Sequence, residues 1–420
     1  MSEIISVLDP GSKTIKTAIA EVKDNKLDIL GYSEYKSSGI RDGEITDMET
    51  AQKAIRKAVD SVQRKAGVET KEFYISLTGE HIKGIDTKGL ISTSEKNSSG
   101  VEEPGTINKY HINKVNEKIE ENSMVYPFPI DRDILHIFPK EYIVDNRRGI
   151  KNPEGLTGRR LEMKAHISIY STTATKNITR CLKNAGLKVS KFVLHSLASA
   201  YSTLSQEEKD LGTILLDIGA DITDIIFYHQ GNIHYTGHIP FGGGHVTRDI
   251  AKMLQISTQN AEKLKKEHGW ALENKIKNNK TLEIDGLGGQ GKIQISKREL
   301  AEVIEARMSE IFQEAMLEAQ KINTNIGNTP PVVLTGGGAL LKGNVDLCEQ
   351  IFESSCRIVK PFLDSELNKE LTPISSSVIG LLNYAQKDND SSDNFLNNLQ
   401  KTPINLGFFD KIGKFIDRIF

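Results

Sequence analysis

Two Asp-x-Gly sequences, Asp9-Pro10-Gly11 and Asp217-Ile218-Gly219, are the residues of this chain best suited to chemistry. A glycine in such a turn lets backbone N–H groups approach phosphate oxygens without a side chain in the way. A carboxylate beside it can hold Mg²⁺ through water ligands, because this ion keeps most of its hydration shell. One such turn alone is common in ordinary hairpins. Two copies predict a nucleotide site in which Asp9 and Asp217 hold the metal, with Asp217 also a candidate for positioning an attacking water.

A run of three glycines, Gly336-Gly337-Gly338, follows the apolar segment Val332–Thr335. Bare backbone between a strand and a helix allows a ribose, an adenine or a phosphate to approach closely. The alternative is a tight strand–helix turn. A turn alone rarely needs three glycines, because ordering them costs considerable chain entropy. The run therefore strengthens the prediction of a nucleotide site.

Glu262 and Lys265 are three residues apart and share one face of a predicted helix. Taken alone, this pair is typical of a solvated helix face.

The C-terminal residues 406–420 predict an amphipathic helix that lies on a membrane. Large apolar residues at helical spacing form one stripe with basic residues beside it, as in interfacial helices. Two alternatives are a helix docked on the protein's own core and a helix bound in a partner's groove. The stripe comprises Phe408, Phe409, Ile412, Phe415, Ile416, Ile419 and Phe420. The basic residues are Lys411, Lys414 and Arg418.

An internal repeat indicates how these residues are positioned. Residues 5–22 and 213–228 each contain a β-branched strand, an Asp-x-Gly turn and a second strand, and a third strand follows each after a polar break. Helical periodicity comes after each meander. The repeat predicts an α/β fold with two related lobes that face one another. The predicted helices are Met48–Ala66, Val246–Leu254, Thr258–His268, Lys297–Lys321, Leu340–Phe352 and Ile374–Gln386.

Chain length and net charge limit the classes of protein to which this chain can belong. The 420 residues are enough for two or more domains, and the net charge of -2 gives no reason to expect a nucleic-acid partner. The cysteines Cys181, Cys348 and Cys356 lack zinc-ligand spacing and predict reduced thiols. Neither a signal-peptide pattern nor a run of about 18 apolar residues is present, so any membrane contact is expected to be peripheral.

The chain resembles the FtsA cell-division family of the actin/Hsp70/sugar-kinase superfamily, and the resemblance extends over nearly the whole chain. The segments that carry it are RDGEITDM (41–48), ISLTGEHIKG (75–84), residues 131–167, LASAYSTLSQEEKDLG (197–212), IPFGGGHVTRDIA (239–251), AEKLKKEHG (261–269) and VVLTGGGALLKG (332–343).

The resemblance implies the actin-like two-lobed fold with an FtsA-type inserted subdomain. The last helix of lobe II could return to lobe I, and a flexible linker rich in Asp, Asn and Ser would lead to the membrane helix. The implied boundaries are 1–83 for lobe I (subdomain 1A), completed by about 166–197; 84–165 for the insert (1C); 198–386 for lobe II (2A and 2B, with 2B about 246–300); 387–405 for the linker; and 406–420 for the helix.

The resemblance also implies an ATP-binding protein that polymerises with copies of itself on the cytoplasmic side of the inner membrane. There it would tether filaments of the tubulin-like protein FtsZ at the division site, contact anionic lipids and meet later division proteins. Arg307 stands at a position implicated in binding the C-terminal peptide of FtsZ, and Glu262 and Lys265 would reach the ribose instead of forming a solvated face. The residues implied for the phosphate loops are Asp9, Gly11, Ser12, Lys13, Asp217, Gly219 and Ala220.

The second phosphate turn departs from the family, in which this loop is usually Gly-rich with a Thr after the glycines. Here Asp221 puts a negative charge near phosphate oxygens, which repels them unless the metal or Lys13 screens it. Ile222 removes a hydroxyl donor, and Pro10 removes one N–H from the first turn. ATP binding with at most slow hydrolysis is therefore expected. Two alternatives stay open: a small-molecule kinase of the same superfamily, and an FtsA-like pilus-assembly adaptor, which would lack the C-terminal helix.

Overall fold

The computed structural model describes residues 3–24, 26–124, 131–287, 291–321, 329–363 and 371–389. These residues form two compact units, one comprising the chain up to Ile85 together with Tyr170–Asn389, and the other comprising Asp86–Ile169. No helix in these described ranges is long and apolar enough to cross a bilayer.

The strands, in chain order, are β1 (Glu3–Pro10), β2 (Thr14–Lys23), β3 (Lys26–Lys36), β4 (Ile40–Arg41), β5 (Glu44–Ile45), β6 (Glu72–Leu77), β7 (Lys83–Ser92), β8 (Ser94–Lys96), β9 (Glu102–Thr106), β10 (Arg132–Val144), β11 (Arg147–Ile150), β12 (Thr157–Gly158), β13 (Arg160–Ser171), β14 (Lys188–Leu194), β15 (Thr213–Ile218), β16 (Thr223–His229), β17 (Asn232–Ile239), β18 (Thr281–Asp285), β19 (Lys292–Ser296), β20 (Val332–Thr335) and β21 (Cys356–Ile358). The helices are α1 (Met48–Ala66), α2 (Lys109–Met124), α3 (Thr172–Asn184), α4 (His195–Thr203), α5 (Gln206–Leu211), α6 (Gly243–Leu254), α7 (Thr258–His268), α8 (Lys297–Gln320), α9 (Asn344–Phe352) and α10 (Ser376–Asn389).

The larger unit contains two five-stranded sheets with the same strand order. The first runs β14-β6-β1-β2-β3, and the second, read from the other end, runs β21-β20-β15-β16-β17. In each sheet, the first strand of a three-stranded antiparallel meander also pairs in parallel with a strand from later in the chain, β6 in the first sheet and β20 in the second. That strand pairs in parallel with the strand at the edge of the sheet, β14 or β21. The internal repeat predicted from the sequence is therefore confirmed.

Helix α1 shows how the sequence positions a covering helix on the first sheet. The Asp47 side chain accepts a hydrogen bond from the backbone N–H of Thr50 at 2.8 Å and begins the helix. Gly67, with a left-handed φ of 67°, ends it. The predicted apolar face is buried against the sheet, and its members are Ala51, Ala54, Ile55, Ala58, Val59 and Val62.

Helices α4 and α10 lie where the chain passes between the two sheets. Helix α4 follows β14 of the first sheet and precedes β15 of the second, whereas α10 comes after the second sheet and packs on β1, β2 and β6. The two helices cross in backbone contact, because a Cβ atom on Gly380 would lie only 1.7 Å from the carbonyl oxygen of Ala198. Only glycine fits at this crossing.

The smaller unit has a four-stranded sheet in the order β11-β10-β13-β7 and a three-stranded sheet in the order β12-β9-β8. Helix α2 packs on β7 at Gly89, where a Cβ atom would lie 2.7 Å from the carbonyl oxygen of Val115. The predicted insert, 84–165, overlaps this unit.

Four of the six predicted helices differ from the prediction at one end or both. Helix α6 begins at Gly243 and not at Val246, α8 ends at Gln320 and not at Lys321, and α10 begins at Ser376 and not at Ile374. Helix α10 continues to Asn389, beyond the predicted end at Gln386, because Asp388 pairs with Lys191 at 2.8 Å and the Tyr74 hydroxyl donates to Asn389 Oδ1 at 2.9 Å. Helix α9 begins at Asn344 and not at Leu340, since a 3-10 turn and Gly343, with a φ of 84°, precede it. The rest of the predicted linker, 390–405, and the predicted membrane helix, 406–420, lie outside the described residues.

Candidate functional site

The two Asp-x-Gly sequences form matching hairpin turns at the ends of β1 and β15. The N–H of Gly11 donates to the Asp9 carbonyl at 3.0 Å, and the N–H of Gly219 donates to the Ile222 carbonyl at 2.9 Å. A Cβ atom on Gly11 would lie 2.7 Å from the Thr14 carbonyl oxygen, and one on Gly219 would lie 2.8 Å from that of Ile222. Both turns therefore need glycine at the same place, so the repeat extends to their backbones.

The triple glycine follows β20, which pairs with β15 so that Thr335 lies opposite Asp217. Gly336 has a left-handed φ of 84°, and a Cβ atom there would lie 2.3 Å from Asp217 Oδ1. A Cβ atom on Gly338 would lie 2.3 Å from Ile218 Cγ2. Gly337 differs, because its nearest atom would be Ile374 Cγ1 at 3.6 Å. The outer two glycines are required for packing, whereas Gly337 has space around it.

These segments surround a cleft of about 500 Å³ between the two sheets, within the size range of small-molecule sites. The structure brings every residue predicted to contact nucleotide to this one cleft, and their contact with nucleotide stays a prediction. The lining includes Asp9, Gly11, Ser12, Lys13, Asp217, Gly219, Ala220, Glu262, Lys265, Gly336, Gly337 and Gly338.

Asp9 is buried at the base of the cleft among donors. Lys16 Nζ lies 2.6 Å from its Oδ2 atom, the Ser377 hydroxyl donates to Oδ2 at 2.6 Å, and the Ser76 hydroxyl donates to Oδ1 at 2.5 Å. Burial raises the pKa of Asp9, but the charges of Lys16 and His195 outweigh it and hold this pKa well below its ordinary value. Asp9 is therefore a carboxylate at neutral pH.

His195 lies between the two turn aspartates. Its Nδ1 atom is 3.3 Å from Asp9 Oδ1, and its Nε2 atom is 3.2 Å from Asp217 Oδ2, which also accepts from the Ser199 hydroxyl at 2.5 Å. Burial alone would lower the pKa of His195, yet the two carboxylates hold it well above its ordinary value. Burial likewise raises the pKa of Asp217, and the His195 charge brings it below the ordinary value. The two carboxylates therefore favour the charged form of the ring, which lies between the two hairpins.

Sequence reasoning missed His195 and Lys16. His195 directly follows β14, and Lys16 lies on β2 beside Asp9 in the strand register. Polar residues at the carboxyl ends of parallel strands meet at one edge of a sheet, where ligands commonly bind. That rule could have identified His195, because β14 runs parallel to β6 and β6 runs parallel to β1.

Glu262 and Lys265 face the cleft, and the interpretation as a solvated face is wrong: their side chains are only 19% and 12% exposed. The Glu262 carboxylate lies 2.9 Å from Lys265 Nζ, accepts from the Thr247 hydroxyl at 2.5 Å and pairs with Lys13 of the first turn. Burial raises the pKa of Glu262, but the charge of Lys265 and the hydrogen bonds lower it to about 2. Burial prevails at Lys265, whose pKa falls to about 8.

Asp221, the departure in the second turn, has a cationic partner. Arg248 NH1 of α6 lies 3.1 Å from Asp221 Oδ1. In the sequence analysis, only the metal ion or Lys13 was expected to screen the charge of Asp221. The structure adds Arg248, which is about two-fifths exposed and reaches the turn from outside.

Comparisons with known proteins decide the family. A family model described as "Cell division protein FtsA" matches residues 214–380, and one described as "SHS2 domain inserted in FTSA" matches residues 79–169. The cell division protein FtsA of Pseudomonas aeruginosa is 32% identical over 391 residues, which cover 92% of this chain and 91% of that protein. The FtsA of Borreliella burgdorferi is 34% identical over 389 residues, covering 91% and 90%. The chain belongs to the FtsA family.

Solved structures place this FtsA-family chain in the actin-like fold, as predicted. The "PilM-PilN type IV pilus biogenesis complex" aligns with a TM-score of 0.64 at 16% identity, covering 91% of this chain and 98% of that one. MreB5 of Spiroplasma citri bound to ADP aligns with a TM-score of 0.54 at 15% identity, covering 92% and 96%. At these identities the similarity is one of fold.

The predicted Mg²⁺ fits the FtsA-family cleft in one binding mode only. Among the described residues, no group of three or more His, Cys, Asp or Glu side chains is arranged to hold a metal ion. Asp9 and Asp217 already face Lys16 and His195. The set fits an ion that keeps water and phosphate ligands, which Asp9 and Asp217 would hold through water. When bound, the ion would supply positive charge to phosphoryl oxygens.

Arg307 of this FtsA-family chain lies on α8 with its guanidinium already bonded. Its Nε atom is 2.6 Å from Asp249 Oδ2, NH2 donates to Asp249 Oδ1 at 3.2 Å, NH1 pairs with Glu310, and the group stacks 5.0 Å from the Phe241 ring centroid. A peptide carboxylate would have to displace one of these acids. The predicted contact of Arg307 with a peptide stays a prediction.

Proposed function

We propose that this chain binds ATP with Mg²⁺ in the cleft between its two sheets and uses the nucleotide to control its own polymerisation. The observation that carries the proposal is the convergence of both Asp-x-Gly turns and the triple glycine on one cleft. The MreB5 neighbour with ADP, and a second MreB5 structure bound to AMPPNP with a TM-score of 0.51, support nucleotide as the ligand class.

Different residues of the cleft would bind different parts of the nucleotide. The N–H groups of the two turns and the Lys13 ammonium suit phosphate oxygens, and Glu262 and Lys265 suit ribose hydroxyls. Lys13 would exchange Glu262 for phosphate, which leaves Glu262 to accept from the ribose. Asp217 is the candidate for orienting a water, because His195 and Ser199 fix its carboxylate.

ATP turnover should be slow or undetectable in this arrangement. Asp221 stands where a glycine is usual and Ile222 removes a hydroxyl, so the charge that develops on a transferred phosphoryl group is poorly stabilised. A purified protein that turns over at rates of about 1–100 per second, as kinases do, would contradict this proposal.

The cellular role we propose is a membrane tether at the division site, on the cytoplasmic side of the inner membrane. Residues 406–420 would lie in the headgroups of anionic lipids, and the C-terminal peptide of FtsZ would bind the surface around Arg307. Polymerisation would place many short helices on one surface, so that individually modest contacts add to firm attachment. Later division proteins would meet the filament there.

Vesicle sedimentation tests the tether. The full chain, a 1–400 truncation and Phe415→Glu are spun with vesicles containing anionic lipid, with Asp417→Glu as the control that keeps the apolar stripe. Seven large apolar side chains each gain on the order of 1 kcal/mol or more on leaving water, so only the parent and Asp417→Glu should sediment. Equal sedimentation of all four proteins would rule out the helix as the anchor, and a pilus-type adaptor would leave all four in solution.

A further inference from the structure

Ser377, in the first turn of α10, connects that helix to the carboxylate of Asp9 in the nucleotide cleft. Its hydroxyl donates to Asp9 Oδ2 at 2.6 Å and accepts from Lys16 Nζ at 3.1 Å. Lys16 Nζ also donates at 3.0 Å to the carbonyl oxygen of Ile374, which directly precedes the helix. Ser377 and Asp9 are each 1% exposed, so water does not compete for their hydrogen bond. The first phosphate turn and the start of α10 therefore share one buried polar network.

The start of α10 also contacts the triple glycine. The backbone N–H of Gly336 donates to the Pro373 carbonyl oxygen at 3.1 Å, and the hydroxyl oxygens of Thr335 and Ser376 are 2.6 Å apart. The beginning of this one helix therefore touches a cleft element of each sheet, which is the turn after β1 in the first sheet and the turn after β20 in the second.

The last turn of α10 is fixed on the first sheet. Its contacts there are Asp388 with Lys191 of β14 at 2.8 Å, Asn389 with the Tyr74 hydroxyl of β6 at 2.9 Å, and Asn389 with Glu3 of β1 at 2.7 Å. Between its two ends the helix packs along β1, β2 and β6. A helix of 14 residues spans about 20 Å. Helix α10 therefore connects the cleft with the point from which residues 390–420 continue the chain.

A carboxylate that holds a metal ion through water needs a fixed orientation, and neighbouring donors provide it. We propose that Ser377 is a positioning residue for Asp9, and that ATP–Mg²⁺ in the cleft holds α10 on the first sheet through this contact. The inference rests on the nucleotide binding proposed above. A ligand that requires the orientation of Asp9 set by Ser377 stabilises their hydrogen bond, and by linkage it stabilises the docked helix that carries Ser377. Occupancy of the cleft is thereby transmitted to the start of residues 390–420.

Ser76 of β6 provides an internal comparison, because its hydroxyl donates to the other oxygen of the same carboxylate, Asp9 Oδ1, at 2.5 Å. Ser76 is likewise buried. It orients Asp9 from the sheet, whereas Ser377 orients it from α10. Loss of either hydroxyl should therefore weaken the metal-dependent part of ATP binding. Only the loss of the Ser377 hydroxyl should separate α10 from the cleft.

Calorimetry of the full chain, with Mg²⁺ or with excess EDTA, tests the positioning role. Ser377→Ala should lower the affinity for ATP–Mg²⁺ about tenfold but the affinity for metal-free ATP by less than about twofold, because Asp9 acts on the hydrated ion. Ser377→Thr keeps the hydroxyl and should bind like the parent. The control is Ser375→Ala, which removes a hydroxyl bonded only within the preceding 3-10 turn and should also bind like the parent.

Hydrogen exchange followed by mass spectrometry tests the coupling to α10. Helix α1 is the reference for general stabilisation by the ligand, because it covers the same sheet and has no residue in the lining of the cleft. Saturating ATP–Mg²⁺ should slow exchange in residues 380–389 at least about fivefold more than in α1, both in the parent and in Ser76→Ala. In Ser377→Ala, at concentrations that saturate the variant, α10 should be slowed no more than α1.

The outcomes separate this inference from the proposed function. A parent that binds no ATP would refute both. If the parent binds ATP–Mg²⁺ and Ser377→Ala binds it equally well, the nucleotide site stands and the positioning role is excluded. Equal slowing of α10 exchange in Ser377→Ala and the parent would exclude the coupling. Should Ser377→Ala not fold, Ser377→Cys replaces it with the same expectations, because a thiol keeps the volume but donates only weakly.

Discussion

Lys13, on the turn after β1, forms an ion pair with Glu262 of α7, so that a residue predicted for phosphate meets one predicted for ribose. Lys13 is about half exposed, and such pairs contribute only about 0–1 kcal/mol. A phosphate group can therefore displace Glu262 at little cost. The pair keeps both side chains at the cleft without blocking it.

Loss of the Lys13 charge should weaken ATP binding. A charged hydrogen bond contributes about 1.5–3 kcal/mol, so Lys13→Met should lower the affinity about tenfold to a hundredfold in calorimetry. Lys23→Met, which removes an exposed lysine of β2, is the matched control and should bind ATP like the parent. Equal affinities for all three proteins would exclude Lys13 from the phosphate site.

Gly337 is the position at which a side chain should block nucleotide without harming the fold. Gly337→Val fills the cleft where the nearest atom, Ile374 Cγ1, leaves room at 3.6 Å, so ATP binding should be lost while the melting temperature is kept. Gly336→Ala should instead destabilise the protein, because its Cβ atom would meet Asp217 in a left-handed conformation. Unchanged ATP affinity in Gly337→Val would refute the placement of the site.

Arg248 should assist ATP binding through Asp221. Arg248→Ala leaves the Asp221 carboxylate unscreened beside the phosphates, and affinity should fall about tenfold. Adding Asp221→Asn should restore it, since the repulsion then disappears. If the double variant binds ATP as weakly as Arg248→Ala, the arginine acts in some other way.

Asp224 should make stability depend on pH. Burial raises its pKa from 3.8 to about 6, although His195 and the Thr78 hydroxyl favour the charged form. Between these values the folded state binds the extra proton, so stability decreases as pH rises from about 4 to 6. The decrease should be about 1–3 kcal/mol in urea unfolding. Asp224→Asn should remove it and stabilise the protein near pH 7, whereas the exposed control Asp28→Asn should retain it. A parent with the same stability at pH 4.5 and 7 would contradict this assignment.

Arg307→Glu alone would be an ambiguous test of FtsZ binding. The new carboxylate would face Asp249 and Glu310, and the resulting repulsion should lower the melting temperature. Glu310→Gln keeps the Asp249 pair and frees one edge of the guanidinium, so it should bind an FtsZ C-terminal peptide at least as tightly as the parent. Weaker binding by Glu310→Gln in fluorescence anisotropy would mean that Arg307 does not contact a peptide carboxylate.

The lobes and their glycines could be predicted because each signal is local in the sequence. Asp-x-Gly and the triple glycine occupy three residues each, and their positions in the repeat predict that they meet. The sequence analysis missed His195, Lys16 and Arg248. Each of them contacts a residue on another strand, helix or turn, and the spacing of residues along the chain does not predict such contacts. The spacing of Glu262 and Lys265 predicted their contact correctly but not their burial, which depends on Thr247 and Lys13.

The crossing of α4 and α10 fixes how closely these two helices approach each other. The chain passes from one lobe to the other at these helices, and at Gly380 they touch backbone to backbone with no side chain as a spacer. A methyl group at position 380 would overlap the Ala198 carbonyl oxygen, so the two helices would have to move apart. Because α4 also packs on β15 and β16 and α10 on β1, β2 and β6, that displacement would reach both sheets.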